Sequence, residues 1–592
     1  MKQRIILFAL FSGLFLITSC NDDFMERFPE NAISDGAVWK TPADLELYVN
    51  NFYNRDDLLP RETGWNMGMY SYDYNNGSDT QIDRDPNTRM NGQSSIPSSG
   101  GGWASGDWDE LRDINYFFSN YKKATGDEAA INKYVGEALF FRAIFYFNKL
   151  RTFGDVPWYD SLLNPDDEDL YKARDPRNVV VDNLMADLDK AVSYLPSLNA
   201  GWNGRVNKET AMLLQARIAL YEGTWEKYHA GDPFGVTGSD GSKFITKAKD
   251  VTEALIASGA CDLDNKGLEN GYQNVFNQES YKTSKEVIFW RQYNKSDGNA
   301  NAWSDYTTYG ALSGLTKRII NMYLCTDGKP IQGNPLYQGD GNLLNEVANR
   351  DPRLNQTIYV NDGKHAQFYP NVPFLYPNFE SSDRGSITGY QLYKGHRPNP
   401  ELSGLSGQQA LIYFRYAEAL LINAEAKAEL GSITQTDIDK TINQLRRRLV
   451  GMADMKLDEV NALPASARIF PNLSNIINEI RRERTIELTA EGFRVDDIFR
   501  WAVADILIKG YVPQGAKRAQ WEGALPGAPN GFVAAVNALL IDDDGYINPW
   551  AGKPTFSLTE GYKFNLQRDY LKPLPNNQLI LNSNLIQNPG WE

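Results

Sequence analysis

Two stretches of the chain carry the side chains best suited to chemistry. The first is "GWNMGMYSYDYNNGSD" (Gly64–Asp79), continuing to "GGWASGDWDEL" (Gly101–Leu111). Trp65, Tyr70, Tyr72, Tyr74, Trp103 and Trp108 are interleaved there with Asn66, Asp73, Asn75, Asn76 and Asp79. Core aromatics ordinarily sit among aliphatics, whereas these sit among Gly, Asn and Asp. Flat apolar rings beside short amide and carboxylate groups suit a ligand with a C–H face and a rim of hydroxyls, such as a sugar ring. The second stretch, "NANAWSDYTTYG" (Asn299–Gly310), repeats the pattern with Trp303, Asp305, Tyr306 and Tyr309. Candidate ligand contacts are therefore Trp65, Tyr70, Tyr72, Asp73, Tyr74, Asn75, Trp103, Trp108, Trp303, Asp305, Tyr306 and Tyr309. The bland alternative is that such rings plug loops onto the scaffold. For "FYPNVPFLYPNF" (Phe368–Phe379), the prolines favour that structural role.

The charge run "EIRRERTIELTAEGFRVDDIFRW" invites a catalytic reading, but Glu483, Glu487 and Glu491 recur every fourth residue, which builds a paired ladder along one helix face and its continuation. Arg446–Arg448 read as a solvated helix face. No Walker A loop, G-x-S-x-G elbow or zincin motif is present. "SSDRGSIT" falls short of a sialidase-type aspartate box. In "DDDGYI", Leu540 and Ala551 stand where an EF-hand needs ligands. With three histidines and no CxxC, a metal site is not expected, and no cofactor is implied. Carboxylates paired in space for glycoside hydrolysis remain open, although nothing in the sequence nominates a pair.

The chain has 592 residues, a formal charge of −15 and 12% aromatics, including 13 Trp and 32 Tyr. That charge argues against nucleic acid and anionic lipid headgroups as partners. Beyond Cys20 only Cys261 and Cys325 remain, enough for one disulfide and no disulfide scaffold.

Helical periodicity marks the elements that must position these groups. Glu137–Trp158 is apolar almost all round and stops at Gly154. Asn178–Pro196 is amphipathic, Asn207–Trp225 is expected to end at Gly223, and Lys243–Gly259 follows. Leu411–Gly431, Asp437–Leu449 and Leu473–Trp501 are the later helical segments. They pair, with alanines where close approach needs them, in a degenerate tetratricopeptide-like pattern. Long irregular stretches rich in aromatics lie between them and read as an ordered, loop-built face on a helical scaffold.

The N-terminus has Lys2 and Arg4, an apolar run from Ile5 to Ile17, then "TSC" ending at Cys20. This is a signal-peptide pattern that resembles a bacterial lipobox, with Cys20 the acylated residue after cleavage of 1–19. An ordinary secretory signal is the alternative. Asn21, Asp22 and Asp23 resemble signals that direct lipoproteins to the outer face of the outer membrane.

"FRAIFYFNKLRTFGDVPW", "NKETAMLLQARIALYEGTW", "NRDPRL", "TGYQLYK", "FRYAEALLINAEAKAELG" and "RRERTIELTAEGFRVDDIFRW", behind "FPENAISDGAVWKTPADLELYVNNFYN", resemble the successive signature blocks of the SusD/RagB family. The resemblance implies a mainly α fold: a TPR-like helical hairpin scaffold, mainly 130–260 and 411–501, with a large irregular loop-rich half, mainly 53–110 and 260–408. Residues 20–592 would form a single domain. It implies an outer-membrane lipoprotein, attached through its lipid anchor only and facing the exterior. Such a protein captures a glycan and closes as a lid over a SusC-like TonB-dependent transporter, and it is not an enzyme. A peptide-binding lid of the RagB kind is the alternative, and a surface glycoside hydrolase a lesser one. The signature blocks are scaffold in this family, so the ligand contacts above rest on local chemistry alone.

Overall fold

A computed structural model describes residues 39–61, 77–201, 204–380, 384–399, 401, 404, 406–523, 525, 527–528 and 531–591. The fold is mainly α. The leader and Cys20 lie outside the described residues. Among the described residues no helix is long and apolar enough to cross a membrane.

The longer helices are α1 (Pro42–Val49), α2 (Asp109–Asn120), α3 (Glu128–Phe153), α4 (Arg177–Tyr194), α5 (Lys208–Tyr228) and α6 (Ser242–Ala257). After them come α7 (Trp303–Tyr309), α8 (Tyr416–Glu429), α9 (Asn475–Glu487), α10 (Arg494–Arg500) and α11 (Asn576–Leu581). Helix α3 packs on α4, α4 on α5, α5 on α6, α6 on α8 and α8 on α9, so the scaffold is a row of neighbours. Local signals set the ends. The Asp127 carboxylate accepts from the Ala130 N–H at the start of α3, and Gly154, at φ 73°, closes it. Asn207 caps α5 in the same way.

Helix α5 runs five residues past Gly223, its expected end. Gly223 is a crossing point: a Cβ there would stand 2.6 Å from Ile245 and 2.8 Å from the Gly241 carbonyl. A glycine inside a helical pattern therefore marks close approach of α6, not a stop. Leu411–Arg415, expected to be helical, is the strand β4, antiparallel to β2 (Val287–Arg291). The run is β-branched and aromatic and buried on both faces, so it shows no alternation. Leu473–Trp501 is two helices, α9 and α10, separated by a turn in which Ala490 and Gly492 take φ 59° and 83°. Cys261 and Cys325 are separate buried thiols, and burial pushes the Cys261 thiol up to about 12.

The charge run holds the core together differently from a ladder along one helix. Glu487 accepts from Arg353 (2.9 Å), Arg415 (2.8 Å) and Arg448 (2.6 Å). Glu483 accepts from Arg353 (2.6 Å) and Arg446 (3.0 Å), and Glu491 from Arg415 and Lys394, both at 2.6 Å. Arg446 and Arg448, expected on a solvated face, are buried in this network, and only Arg447 between them is exposed. The short helix Ile442–Arg447 lies against the scaffold, so its arginines alternate between carboxylates and water.

A second charged pair joins α4 to α5, beside the loop before α6. Arg177 grips Glu222 (2.8 Å), and Glu226, one turn on, accepts from the Ser239 hydroxyl. Burial and then the neighbouring Glu222 raise Glu226 to about 7. A carboxyl raised in the folded state binds its proton more tightly there, so its contribution is complete below about pH 4.5 and is lost as pH rises through 7. Glu226→Gln is expected to leave the urea midpoint unchanged at pH 4 and to stabilise by about 2 kcal/mol at pH 8. A gain equal at both pH values would contradict this.

Candidate functional site

Strand β1 (Gln81–Asp83) pairs antiparallel with β3 (Ser313–Leu315), Gln81 opposite Leu315 and Asp83 opposite Ser313. β1 follows the 64–79 cluster in sequence and β3 follows α7 of the second cluster, so this pairing brings the ends of both together. Trp65, Tyr70, Tyr72, Asp73, Tyr74 and Asn75 lie outside the described residues. Asp79 is fully buried, and its two oxygens accept from Arg494 Nε and Nη2, both at 2.8 Å. Its role is to fasten the start of β1 to α10.

The start of α7 is pinned from below. Asn301 and Gly407 exchange backbone hydrogen bonds of 2.8 Å, and Asp305 Oδ1 accepts from the Gly404 N–H at 2.9 Å. Trp303 is 6% exposed and packs against Tyr306 and Leu392. Gly395, at φ 78°, lets the indole lie on the backbone, because a Cβ there would stand 2.7 Å from Trp303 Nε1. Trp303 and Asp305 are thus placed in the support of the site. Tyr306 and Tyr309 are half-buried.

The end of α7 is tied to a neighbouring hairpin. Gln391 Nε2 donates to the carbonyls of Thr307 (2.8 Å) and Thr308 (2.9 Å), and Gln367 Nε2 to Thr308 (2.6 Å). Gly310, Ala311 and Leu312 then all take left-handed φ, of 88°, 48° and 57°. The two non-glycine residues each store roughly 1–2 kcal/mol of strain, which the β1–β3 pairing holds in place. This sharp turn leaves Tyr309 at the surface.

The hairpin closes with Ala366 bridging Pro373. Its tip displays Phe368, Tyr369 and Val372 at 39%, 53% and 48% exposure. Tyr309 meets Phe368 edge-on with centroids 5.6 Å apart, and the Arg384 guanidinium lies 5.3 Å over the Tyr309 ring. His396 locks the hairpin base, donating from Nε2 to the Gln367 carbonyl (2.8 Å) while Nδ1 lies 2.9 Å from the Thr307 hydroxyl. Burial holds His396 down at about 3, so it is neutral. The expected packed role of Phe368–Phe379 is found for Phe374, but the tip rings project. Pro370 and Pro373 stiffen a turn that presents side chains as readily as it buries them, and rings flanking a proline-fixed tip were the available signal.

Trp103 and Trp108 sit elsewhere. Trp103 is 4% exposed, edge-on to Trp108 (5.3 Å) and Phe153 (4.8 Å). Trp108 is half-buried beside Phe145 and Tyr159, with Lys149 Nζ 5.0 Å above its ring. Both tryptophans line a cleft of about 720 Å³ between the start of α2 and the C-terminal segment around α11. Among the described residues no group of three or more His, Cys, Asp or Glu side chains could hold a metal ion. The surface rings over α7 can stack on an apolar ring face, each such contact being worth about 1 kcal/mol.

A model of the SusD family matches residues 274–591. Aligned over 603 residues, the chain is 25% identical to SusD-like protein P2 of Formosa agariphila, with both proteins covered in full. It is 24% identical to a SusD-like protein of Bacteroides ovatus across all of this chain and 98% of that one. A SusD-like carbohydrate binding protein of Bacteroides fragilis superposes with a TM-score of 0.69 at 20% identity, over 93% of this chain and 99% of that one. A SusD homolog of Bacteroides thetaiotaomicron superposes at 0.59 and 18% identity, over 94% and 98%. These superpositions speak for the fold.

Proposed function

We propose, from the premise that this chain belongs to the SusD family, that it is a cell-surface lipoprotein that captures a glycan. Cys20 carries the lipid, and the acids behind it place the protein on the outer face of the outer membrane. The captured glycan passes to a SusC-like TonB-dependent transporter, over which this protein closes as a lid. The tether keeps the lid's effective concentration at the transporter high. The protein binds and hands over, and leaves bond cleavage to others.

The observation that carries the reading is the surface group of Tyr309, Phe368 and Tyr369 on a hairpin locked to α7. Trp65, Tyr70, Tyr72, Asp73, Tyr74 and Asn75, outside the described residues, are proposed as further ligand contacts on their sequence chemistry, and Tyr306 supports the α7 group. Trp303 and Asp305 act from beneath by fixing α7. The relative from Bacteroides fragilis whose name records carbohydrate binding supports the ligand class. The test is electrophoresis of the chain from Asn21 onward through gels holding a panel of polysaccharides. One glycan is expected to retard it and to keep its length over time. No retardation by any glycan would sink the reading in favour of a peptide ligand, and shortening of the polymer would make the protein a hydrolase.

A further inference from the structure

We infer that the cleft beside α2 is a second carbohydrate subsite, which takes an N-acetylated sugar unit. The inference rests on the glycan-binding reading and adds to it a place and a ligand chemistry. At about 720 Å³ the cleft has the size of an oligosaccharide or drug-sized ligand. Its aromatic side is Trp108 and Tyr159, at 6.1 Å and 70° to each other, with Tyr171 at the rim, 53% exposed.

Two asparagine oxygens among its polar groups are left over. Asn115 lines the cleft and is 2% exposed. Both of its amide protons are taken, by the carbonyls of Tyr159 (3.0 Å) and Ser161 (3.1 Å). Those two acceptors fix which end of the amide faces them, so Oδ1 is the end that stays without a protein partner. Asn577 Oδ1, from the opposite wall, is also buried without one. Buried acceptors left unpaired are costly, so the ligand that fits here brings donors.

The cations at the cleft are already engaged. Arg112 donates to the Leu163 carbonyl (3.1 Å), and Lys172 to the Trp158 carbonyl (2.7 Å) and the Asp175 carboxylate (2.9 Å). Nothing therefore calls for an acidic sugar. The rest of the wall is mixed: Leu111, Leu163 and Leu581 give it aliphatic patches beside Ser105, Gln578 and Asn582. A bare hydroxyl rim gains little against leucines. An acetamido group supplies a methyl for that wall and an N–H for an asparagine oxygen within one substituent, while the ring face lies on the aromatics.

The test is calorimetric titration of the full chain with two trisaccharides of the same β-1,4 linkage: chitotriose, acetamido-bearing, and cellotriose, with hydroxyl in its place. Chitotriose is expected to bind about ten-fold more tightly. Tyr171→Ala and Leu581→Asp, both at exposed positions, are expected to weaken it about ten-fold, and Val450→Ala, at an exposed position that lines neither the cleft nor the α7 face, to leave it unchanged. Equal affinity for the two sugars overturns the inference, as does full affinity in a folded Tyr171→Ala variant. If a polysaccharide is still retained through Tyr309 and Tyr369, the cleft inference alone falls. If neither trisaccharide nor any polymer binds, the glycan reading falls with it.

Discussion

Replacing Glu487 with glutamine is expected to cost about 3 kcal/mol of stability, read as a fall in the urea midpoint at pH 7. Glutamine keeps the shape and removes the charge that Arg353, Arg415 and Arg448 share. All three guanidiniums are at most 2% exposed, so water cannot replace the lost partner. The cost stays near the low end for a broken buried pair because each arginine keeps another carboxylate: Arg353 has Asp351 and Glu483, Arg415 has Glu491, and Arg448 has Glu286. Burial alone would raise the Glu487 carboxyl, but Arg448, Arg415 and Arg353 outweigh it and hold it well below the usual range. A depressed carboxyl gives stability that is present above about pH 4.5 and is lost as pH falls further. The gap between wild type and Glu487→Gln should therefore narrow on acidification. An unchanged midpoint at pH 7 would mean that the network is a passenger in the core.

The second large effect joins stability to binding. Asp79→Asn breaks the bidentate pair with Arg494 and leaves that guanidinium, 5% exposed at the side chain, without its closest carboxylate. A loss of about 3 kcal/mol is expected. Asp79 also anchors backbone: its carbonyl accepts from the Thr316 hydroxyl (2.6 Å), and Thr316 N–H donates to the Thr80 carbonyl (2.9 Å). Together these fix the register of β1 on β3, and so where the chain enters β1 relative to Tyr309. At a temperature where the variant is fully folded, glycan affinity should still fall several-fold. Full affinity in folded Asp79→Asn would show that the first cluster is positioned by something else.

How much of this was legible in the sequence follows from how local each cause is. Asn207 and Gly154 act on their own helix ends and marked them, whereas the helix capped by Asp127 was expected to begin only at Glu137 and begins at Glu128. Gly223 depends on Gly241 and Ile245, which arrive from the next helix, so it read as a stop. The charge run was rightly assigned to structure, yet its partners come from other signature blocks: Arg353 of "NRDPRL", Lys394 of "TGYQLYK" and Arg415 of "FRYAEALL". Spacing within one helix could not reveal that convergence, and it misplaced Arg446 and Arg448. The α7 cluster was found from composition, but Trp303 lies inward because Gly395 gives its ring room, a fact of tertiary structure. Phe368 and Tyr369 were set aside because a proline-rich loop looks packed, when proline fixes a turn without saying which way its side chains face.

The central claim is that the rings beside α7 hold the glycan. The most direct measurement is calorimetric titration of the retarding polysaccharide into wild type, Tyr309→Ala and Tyr369→Ala, each shown to keep its unfolding midpoint. Tyr369 is half exposed, so its truncation should leave the fold intact. The account predicts that each variant loses affinity about five- to ten-fold, the value of one stacking contact. Undiminished affinity in both folded variants would contradict it and move the binding site off this face.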